Sequence, residues 1–302
     1  MMKSSTELDA NRPDTASVKP VGRPFWLLSP GLLWLVVFMI LPVLFMVAVS
    51  FWSSGYYGTR PDFTFKSYIR IFQSPLYVGQ LLKTLRIGLE ATALSLLISY
   101  PIAYIISRAK GGGKALLILM LFLPFWASYV VRAFVWLPIL GRNGAINSAL
   151  MAIGVIDQPL DWLLYNEGSV LLGLVYVYTL FMALPIYMSL EKIDPKLIEA
   201  ATDLGARPFR VFWEVLLPLS MPGVVSGCIM VFLLTMSAYV TPQLLGGPQG
   251  IMIGNIIASQ FLSSNDWAFG SALSVILVVV VMLLFLGIGR KTKIEQIFTG
   301  GG

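Results

Sequence analysis

Six segments of the chain are each long enough and apolar enough to cross a lipid bilayer as a helix. They cover residues 26–52, 84–107, 115–137, 168–190, 218–241 and 271–289. A helix needs about 20 mostly apolar residues to span the hydrocarbon, and lipid offers the backbone no hydrogen-bond partners, so irregular segments are not stable there. The sequence therefore predicts an all-α fold, a polytopic membrane helical bundle of six transmembrane helices.

The amino-acid composition excludes a water-soluble globular domain. Of the 302 residues, 57% are hydrophobic and only 12% are charged, whereas soluble domains carry about 25% charged residues. The formal net charge of +6 arises from short basic clusters between the apolar segments. That arrangement is typical of membrane topology, so we do not expect nucleic acid as a partner.

The distribution of Lys and Arg predicts the orientation of the spans. With a cytoplasmic N-terminus, the cytoplasmic segments carry 14 Lys and Arg residues and the other side carries 7. Positive residues are enriched in the cytoplasm, so both termini are expected there. Residues 1–24 are polar and rich in proline, and we interpret them as a disordered cytoplasmic tail before a helix that is not a cleaved signal. Residues 299–302 are interpreted as a tail or a cloning remnant.

Catalytic and metal chemistry is excluded by the residue types that the chain lacks. It contains no histidine and a single cysteine, Cys228, within an apolar segment. His-dependent nucleophilic catalysis, HExxH zinc sites and disulfides are therefore not available. Gly111–Lys114 lacks the GxxxxGK[ST] spacing of a phosphate-binding loop and is predicted to be a turn between two spans. We expect no catalytic residue, no metal site and no cofactor bound by this chain.

Two loops on the predicted external side are too long to be simple connectors. Residues 53–82 are rich in aromatic side chains, and residues 138–167 contain a short amphipathic helix candidate around Ala145–Ile153 followed by a polar turn. Such segments either lie in the membrane interface or fold over the mouth of a pathway. The closely spaced Gly and Pro residues in both loops favour the second alternative.

The cytoplasmic loop between the fourth and fifth spans predicts two short helices. Asp194 is a suitable N-cap, Pro195 fits the first helical position, and Gly205 stands where a left-handed C-cap belongs. Leu197, Ala201 and Leu204 form a small apolar face at helical spacing. A second helix is predicted from Pro208 to Pro218. A helix of this length is marginal alone, so the loop is either a connector that rests on its own bundle or a docking surface.

The same loop resembles the EAA loop of ATP-binding-cassette importer permeases. Glu199-Ala-Ala-Thr-Asp-Leu-Gly205 is followed, after nine residues, by Val215-Leu-Leu-Pro218, and the spacing matches the family throughout, with Val215 at the usual isoleucine. The resemblance implies a type I importer permease fold, with residues 25–298 as the transmembrane permease domain and residues 193–218 as a coupling loop that contacts the ATPase. The residues implied in that contact are Glu199, Ala200, Ala201, Asp203, Leu204, Gly205 and Arg207.

The resemblance also implies partners and a location. Importers of this family combine two permeases, here a second homologous subunit, with two copies of a cytoplasmic ATPase that binds ATP and Mg²⁺, and with a periplasmic substrate-binding protein. The chain would be a multi-pass protein of the bacterial inner membrane. Tyr100–Tyr104, Leu123–Trp126, Gly154–Leu160 and Leu245–Pro248 are similar to the first permease of spermidine/putrescine importers. Polyamine is therefore the expected cargo, with an opine, another small amine or an organic acid as the alternative.

Polyamines are cations, so a pathway for them is expected to offer carboxylates and aromatic faces. Glu90 is the one acid within the predicted spans, although Arg86 lies four residues before it and offers a structural ion pair instead. Ala238 and Gln243 stand where polyamine permeases often carry acids, which the partner permease would then supply. The candidate pathway residues are Glu90, Trp126, Tyr129, Tyr178, Tyr239 and Gln243.

A secondary transporter or a channel is the alternative from another class. Such proteins typically show inverted repeats with broken helices or rings of charge. The sequence shows no internal repeat, and the EAA spacing has no role in such a protein. The energy source for transport is therefore expected on another chain.

Overall fold

The computed structural model describes residues 29–55 and 58–292, and side chains as far as residue 287. The predicted tail (1–24), the first residues of the first span, Tyr56 and Tyr57 of the aromatic loop, and residues 299–302 lie outside the described part. The contacts divide the chain into two units, residues 1–45 and 46–302. Within the described part of the first unit, every side chain from Ser29 to Phe45 is exposed, as expected for a helix that is solvated by lipid.

The described residues form thirteen α-helices, one separate 3₁₀ helix (Asp161–Leu163) and one short hairpin. The helices are α1 (Ser29–Val49), α2 (Lys66–Gln73), α3 (Pro75–Arg108), α4 (Gly111–Phe122, extended by a 3₁₀ turn Leu123–Trp126), α5 (Tyr129–Phe134), α6 (Trp136–Leu140), α7 (Ala145–Ala152), α8 (Glu167–Glu191), α9 (Pro195–Asp203), α10 (Pro208–Met236), α11 (Val240–Leu245), α12 (Ile253–Leu262) and α13 (Trp267–Thr292). The hairpin pairs β1 (Ser53–Gly55) with β2 (Gly58–Arg60) antiparallel.

The helical bundle that the sequence predicts is confirmed. Five helices, α1, α3, α8, α10 and α13, are long and apolar enough to cross a membrane on their own. A sixth span results if α4 and the segment that follows it are counted together. The predicted amphipathic helix near Ala145–Ile153 is α7. Helix α8 differs from its predicted span by one residue at each end, whereas α3 begins nine and α10 ten residues before the predicted spans.

The third predicted span, 115–137, is wrong as a continuous helix. The chain bends by 94° between Gly111–Trp126 and Tyr129–Ala152. Ala127 is extended, and the side chain of Ser128 caps the new helix by accepting a hydrogen bond from the backbone N–H of Val131 at 3.3 Å. Gly111–Lys114 also differs from the prediction, because these residues form the first turn of α4 and the connection is only Ala109–Lys110.

The separate helix predicted from Pro208 to Pro218 is also wrong, since residues 208–236 form one helix. A π turn over Phe212–Leu216 joins the two parts, and the N–H of Leu217 donates to the carbonyl of Phe212, five residues back. Pro218 provides no N–H and crowds the preceding turn, and the wider turn accommodates it. The same arrangement occurs in α1, where a π turn over Val36–Ile40 ends at Leu41, directly before Pro42.

The main core lies where α3, α8 and α10 pack on one another. Each helix contributes fully buried side chains, among them Ile87 from α3, Leu174 and Met182 from α8, and Val231 from α10. A second cluster joins α2, α12 and α13 around Phe269, which is 1% exposed. The α3–α8–α10 core therefore connects the cytoplasmic loop 193–218 to the segments on the predicted external side.

Candidate functional site

Helix α9 of the cytoplasmic loop is capped at both ends by its own residues. The Asp194 side chain accepts a hydrogen bond from the N–H of Lys196 at 3.0 Å. Gly205 has φ +84°, its N–H donates to the carbonyl of Thr202, and the N–H of Ala206 donates to that of Ala201. This is a Schellman motif, and the two caps explain how so short a helix keeps a defined shape.

The apolar face predicted for α9 does not rest on the bundle. Leu197 is 50% exposed and Leu204 is 89% exposed, and the nearby rings of Phe209 and Trp213 are exposed as well. The inward contact is made instead by Ile198, which packs against the main core. The loop therefore carries several exposed apolar side chains that do not pack on the bundle, a feature that is common at interaction surfaces.

The other residues implied in ATPase contact share this exposure. Glu199, Ala200, Asp203 and Arg207 are exposed, and Ala201 is half-buried. A Cβ at Gly205 meets no atom within 4 Å. The glycine is therefore required by its left-handed backbone and not by crowding within this chain.

The loop is connected to the membrane bundle through Phe212. Its ring lies edge-on against that of Tyr100 in α3, with centroids 5.3 Å apart. The Tyr100 hydroxyl is 2.9 Å from the hydroxyl of Ser220 in α10. Tyr100 and Ser220 are both buried, so Phe212 lies against a buried contact between α3 and α10.

Two of the candidate pathway residues lie together in the bundle. The rings of Tyr129 and Tyr178 are stacked with centroids 6.4 Å apart. The Tyr129 hydroxyl is 2.9 Å from the Thr241 hydroxyl, and the Tyr178 hydroxyl donates to the carbonyl of Leu234 at 3.2 Å. This cluster links α5 and α8 to the junction between α10 and α11.

Two further candidates meet at Asn255 of α12, a residue that the sequence analysis missed. Its side-chain amide donates to the carbonyl of Tyr239 at 2.8 Å and to the Gln243 side-chain oxygen at 3.1 Å. Its own oxygen accepts from the N–H of Met252. Tyr239 and Gln243 are exposed, while Asn255 is 7% exposed. A buried Asn therefore holds two exposed polar residues in place.

Glu90 lies in a different environment, a row of charged residues. The Nε of Arg86 is 3.8 Å from a Glu90 oxygen, so the predicted ion pair is present. Arg86 also contacts Glu167 at the start of α8, and Lys83 lies 3.1 Å from the same carboxylate. The remaining candidate, Trp126, is 78% exposed at the end of α4.

The structure thus groups four of the six pathway candidates around the residues 239–243, in the two clusters of Tyr129–Tyr178 and Tyr239–Gln243. Thr241 and Asn255 complete these clusters, and Glu167 belongs to the charged row around Arg86; none of the three was predicted. Asn255 and Glu167 each lie in the first turn of a helix. Polar residues in a first turn often cap the helix, so the start of each predicted helix is where the sequence could have pointed to them.

Comparison with known proteins gives a family match over most of the chain. Residues 20–291 match the family described as binding-protein-dependent transport system inner membrane component. The spermidine/putrescine transport system permease protein PotB of Haemophilus influenzae is 38% identical over 264 residues, which cover 86% of this chain and 91% of that protein. PotB of Escherichia coli is 37% identical over 268 residues, 86% and 94% of the two chains.

Other relatives and solved structures agree on the fold. The inner membrane ABC transporter permease protein YdcU of Escherichia coli is 30% identical over 88% of this chain and 91% of its own. A chain of a bacterial alginate ABC transporter, solved with its alginate-bound periplasmic protein, superposes with a TM-score of 0.69 at 19% identity, covering 88% of this chain and 93% of that one. The fold is that of importer permeases, and the chain belongs to the family of inner membrane components of binding-protein-dependent transport systems.

Proposed function

We propose that this chain is the permease subunit of an ATP-driven importer, that it couples to a separate ATPase through residues 193–218, and that its cargo is a polyamine. The observation that carries the coupling role is helix α9, which is capped at both ends and leaves Leu197 and Leu204 exposed. A connector that rested on its own bundle would bury that face.

The chemistry of the exposed surface supports a protein partner in the cytoplasm. Leu204 is an exposed apolar side chain, and the charged residues Glu199, Asp203 and Arg207 of the same segment are exposed as well. An apolar centre with a polar rim is typical of protein interfaces. In this proposal ATP and Mg²⁺ are bound by two ATPase copies, a second homologous permease completes the pathway, and a periplasmic protein delivers the cargo. The present chain performs no catalysis.

The polyamine cargo is supported by the two PotB relatives, which are 37–38% identical over most of their length. The aromatic and amide groups near residues 239–243 are compatible with an amine, because ring faces and amide oxygens both interact favourably with cations. Glu90 contributes a carboxylate with a half-exposed side chain. Acids of the partner permease would supply the remaining negative charge.

The coupling role is tested by the substitution Leu204→Glu in the assembled transporter. A carboxylate at the centre of an apolar contact is desolvated without a partner, so we expect loss of ATPase co-purification and at least a ten-fold fall in ATP-dependent uptake into proteoliposomes. Leu262→Glu is the matched control, because Leu262 is 80% exposed at the end of α12, outside the loop. Equal uptake by the Leu204→Glu and wild-type transporters would contradict the proposal.

The cargo is tested by competition in the same proteoliposomes with the periplasmic protein present. Labelled spermidine uptake is expected to be inhibited by putrescine and spermidine and not by an opine or an organic acid. Uptake of a labelled opine or organic acid by the same proteoliposomes, without uptake of labelled spermidine, would reassign the cargo and leave the coupling role intact.

A further inference from the structure

Helix α2 carries three different faces. Phe65, Ile69 and Phe72 recur at intervals of four and three residues, and each of these side chains is more than half exposed. A polar, exposed row is shifted from this apolar row by one residue, or about 100° around the helix, and consists of Lys66, Arg70 and Gln73. The third face, with Tyr68 and Ile71, is turned toward the protein. An exposed apolar row beside a basic row is typical of helices that lie in a membrane interface.

The third face of α2 packs on the start of α13. Ile71 is buried and belongs to the apolar cluster around Phe269. Arg70 of the polar row also reaches α13: its guanidinium carbon lies 4.2 Å from the centroid of the Phe269 ring, and its Nη1 lies 3.4 Å from an oxygen of Asp266. These contacts fix the rotation of α2 about its own axis and leave the apolar row facing away from the protein.

Helix α2 is also attached to the residues that directly follow the first span. The N–H of Thr64 donates to the carbonyl of Phe51 at 2.7 Å. The hydroxyls of Tyr68 and Ser50 are 2.7 Å apart, and Ser50 is the residue after the end of α1. Helix α2 therefore lies at the level where the first span ends and where α13 begins.

The length of α13 places this level at the external boundary of the hydrocarbon. The helix is continuous from Trp267 to Thr292, and Arg290 is its first charged residue. Arg290 follows Phe269 by 21 residues, which is about 32 Å of helix and matches the roughly 30 Å thickness of the hydrocarbon. A charge inside the hydrocarbon is costly, so Arg290 marks the cytoplasmic end and Phe269 the external end.

The apolar row of α2 continues into the aromatic residues before it. The ring of Phe63 is exposed. Its centroid lies 5.6 Å from that of Phe65 in an edge-on contact and 5.0 Å from that of Phe51 in a stacked contact. The chain thus exposes a group of large apolar side chains at the boundary level, where acyl chains solvate such groups and water does not.

We propose that α2 is an interfacial helix, with its apolar row among the acyl chains of the outer leaflet and Lys66 in the headgroup layer. Lys66 forms no ion pair with another described residue, and a lysine at this level extends its ammonium toward the headgroups. A loop that folded over the mouth of a pathway would turn its apolar row inward. The proposal takes the first of the two alternatives that the sequence leaves open for residues 53–82, and it depends neither on the cargo nor on the ATPase.

The proposal is tested by the accessibility of nitroxide spin labels in the assembled transporter, with cysteine-free partner subunits, in bilayers of phosphatidylethanolamine and phosphatidylglycerol. The labelled variants are Ile69→Cys and Phe72→Cys in a Cys228→Ala background, and Lys66→Cys and Gln73→Cys on the polar row are the matched controls. Oxygen is more soluble in hydrocarbon than a water-soluble nickel complex is. We therefore expect the ratio of oxygen to nickel collisions to be roughly three-fold higher in the apolar row than in the controls.

Two results of this measurement would overturn the proposal. A preference for the nickel complex at all four positions would place the apolar row in water. Low accessibility of the apolar row to both reagents would place it against another protein subunit.

A second measurement keeps an aromatic side chain in the apolar row and so does not depend on the cysteine variants. Phospholipids brominated near the glycerol end of their acyl chains are expected to quench the added fluorescence of Phe72→Trp about two-fold more than that of Gln73→Trp, because the first indole lies among the chains. Acrylamide in the water is expected to quench in the opposite order. Equal quenching of the two variants by the brominated lipids would contradict the proposal.

Discussion

Gly205 and Gln243 are two single residues whose surroundings lead to different predictions. Gly205 closes α9 with a left-handed backbone at φ +84° and has free space around a Cβ. Gln243 is exposed and held by the buried Asn255 at 3.1 Å. Gly205 is constrained by its backbone conformation. Gln243 is constrained by one hydrogen bond, which the carboxylate of a glutamate can also accept.

Substitution at Gly205 is expected to depend on the side chain introduced. A β-branched residue in the left-handed region costs about 1–2 kcal/mol, whereas Asn adopts it readily. Gly205→Val should therefore unwind the end of α9 and reduce ATP-linked uptake strongly, while Gly205→Asn retains most of it. Uptake by proteoliposomes, with the amount of inserted subunit measured in parallel, checks this. Similar losses of uptake in both variants would indicate that the size of the side chain at the ATPase contact, and not the backbone conformation, determines the effect.

Gln243→Glu should strengthen the interaction with a cationic cargo. The carboxylate keeps an oxygen for the Asn255 amide, and a charge about 4 Å from a cation contributes about 1 kcal/mol in water-like surroundings. We expect about a five-fold lower KM for spermidine, with the effect reduced by salt. Gln249→Glu adds the same charge at an exposed position of the same external loop and is expected to change KM little. An unchanged KM in Gln243→Glu would remove this residue from the pathway.

At the scale of whole elements, the contact between α8 and α10 is made by small residues. A Cβ at Gly223 would lie 2.3 Å from the carbonyl of Pro185, and one at Gly227 would lie 2.8 Å from the sulfur of Met182. The spacing Gly-x-x-x-Gly lets membrane helices approach closely. This pattern is present in the amino-acid sequence and could have predicted which face of α10 packs against another helix.

Gly223→Ala should consequently separate α8 from α10. Overpacking of a well-packed contact costs about 1–3 kcal/mol, and here the obstacle is a backbone carbonyl that cannot move aside. The thermal midpoint of the solubilised transporter is expected to fall by several degrees. Gly79→Ala is the control, since a Cβ there meets nothing within 4 Å and alanine favours the helix. A midpoint unaffected by Gly223→Ala would mean that the helices are not in contact there.

The elements differ in how far their sequence determines them. The α9 caps are local, so Asp194 and Gly205 predict them correctly. The bend after Trp126 is not visible in hydropathy, because residues on both sides of it are apolar and hydropathy carries no information on direction. The continuity of α10 was missed for another reason: Pro218 ordinarily ends a helix, and a π turn is required to keep it. The pairing of Asn255 with Gln243 depends on tertiary contacts and has no local signature.

At the scale of the whole molecule, the predicted orientation with both termini in the cytoplasm rests on the distribution of Lys and Arg. The connection before α4 (109–110) belongs to a segment that is predicted to be cytoplasmic. The connection before α13 (263–266) belongs to a segment that is predicted to be external. The only cysteine, Cys228, is half-buried in α10, so a background variant Cys228→Ala provides a chain without thiols for labelling.

In this background, Gly112→Cys should be protected and Ser264→Cys should react when intact spheroplasts are treated with a membrane-impermeant maleimide. Both positions are exposed, and Gly112 has space for a side chain. After permeabilisation both are expected to react. Labelling of Gly112→Cys in intact spheroplasts would reverse the orientation and would place residues 193–218 on the side away from any cytoplasmic ATPase.

The π turn in α10 has a consequence for how related sequences should be aligned. It inserts one extra residue without adding a turn, so the side chains before it are rotated by about 100° relative to those after it, compared with an uninterrupted α-helix. A relative that lacks one residue within 212–216 would keep the same path through the membrane but would aim its cytoplasmic end in another direction. A one-residue gap at this point would therefore mark a relative whose loop before the helix faces a different way, even where the membrane-embedded sequence is unchanged.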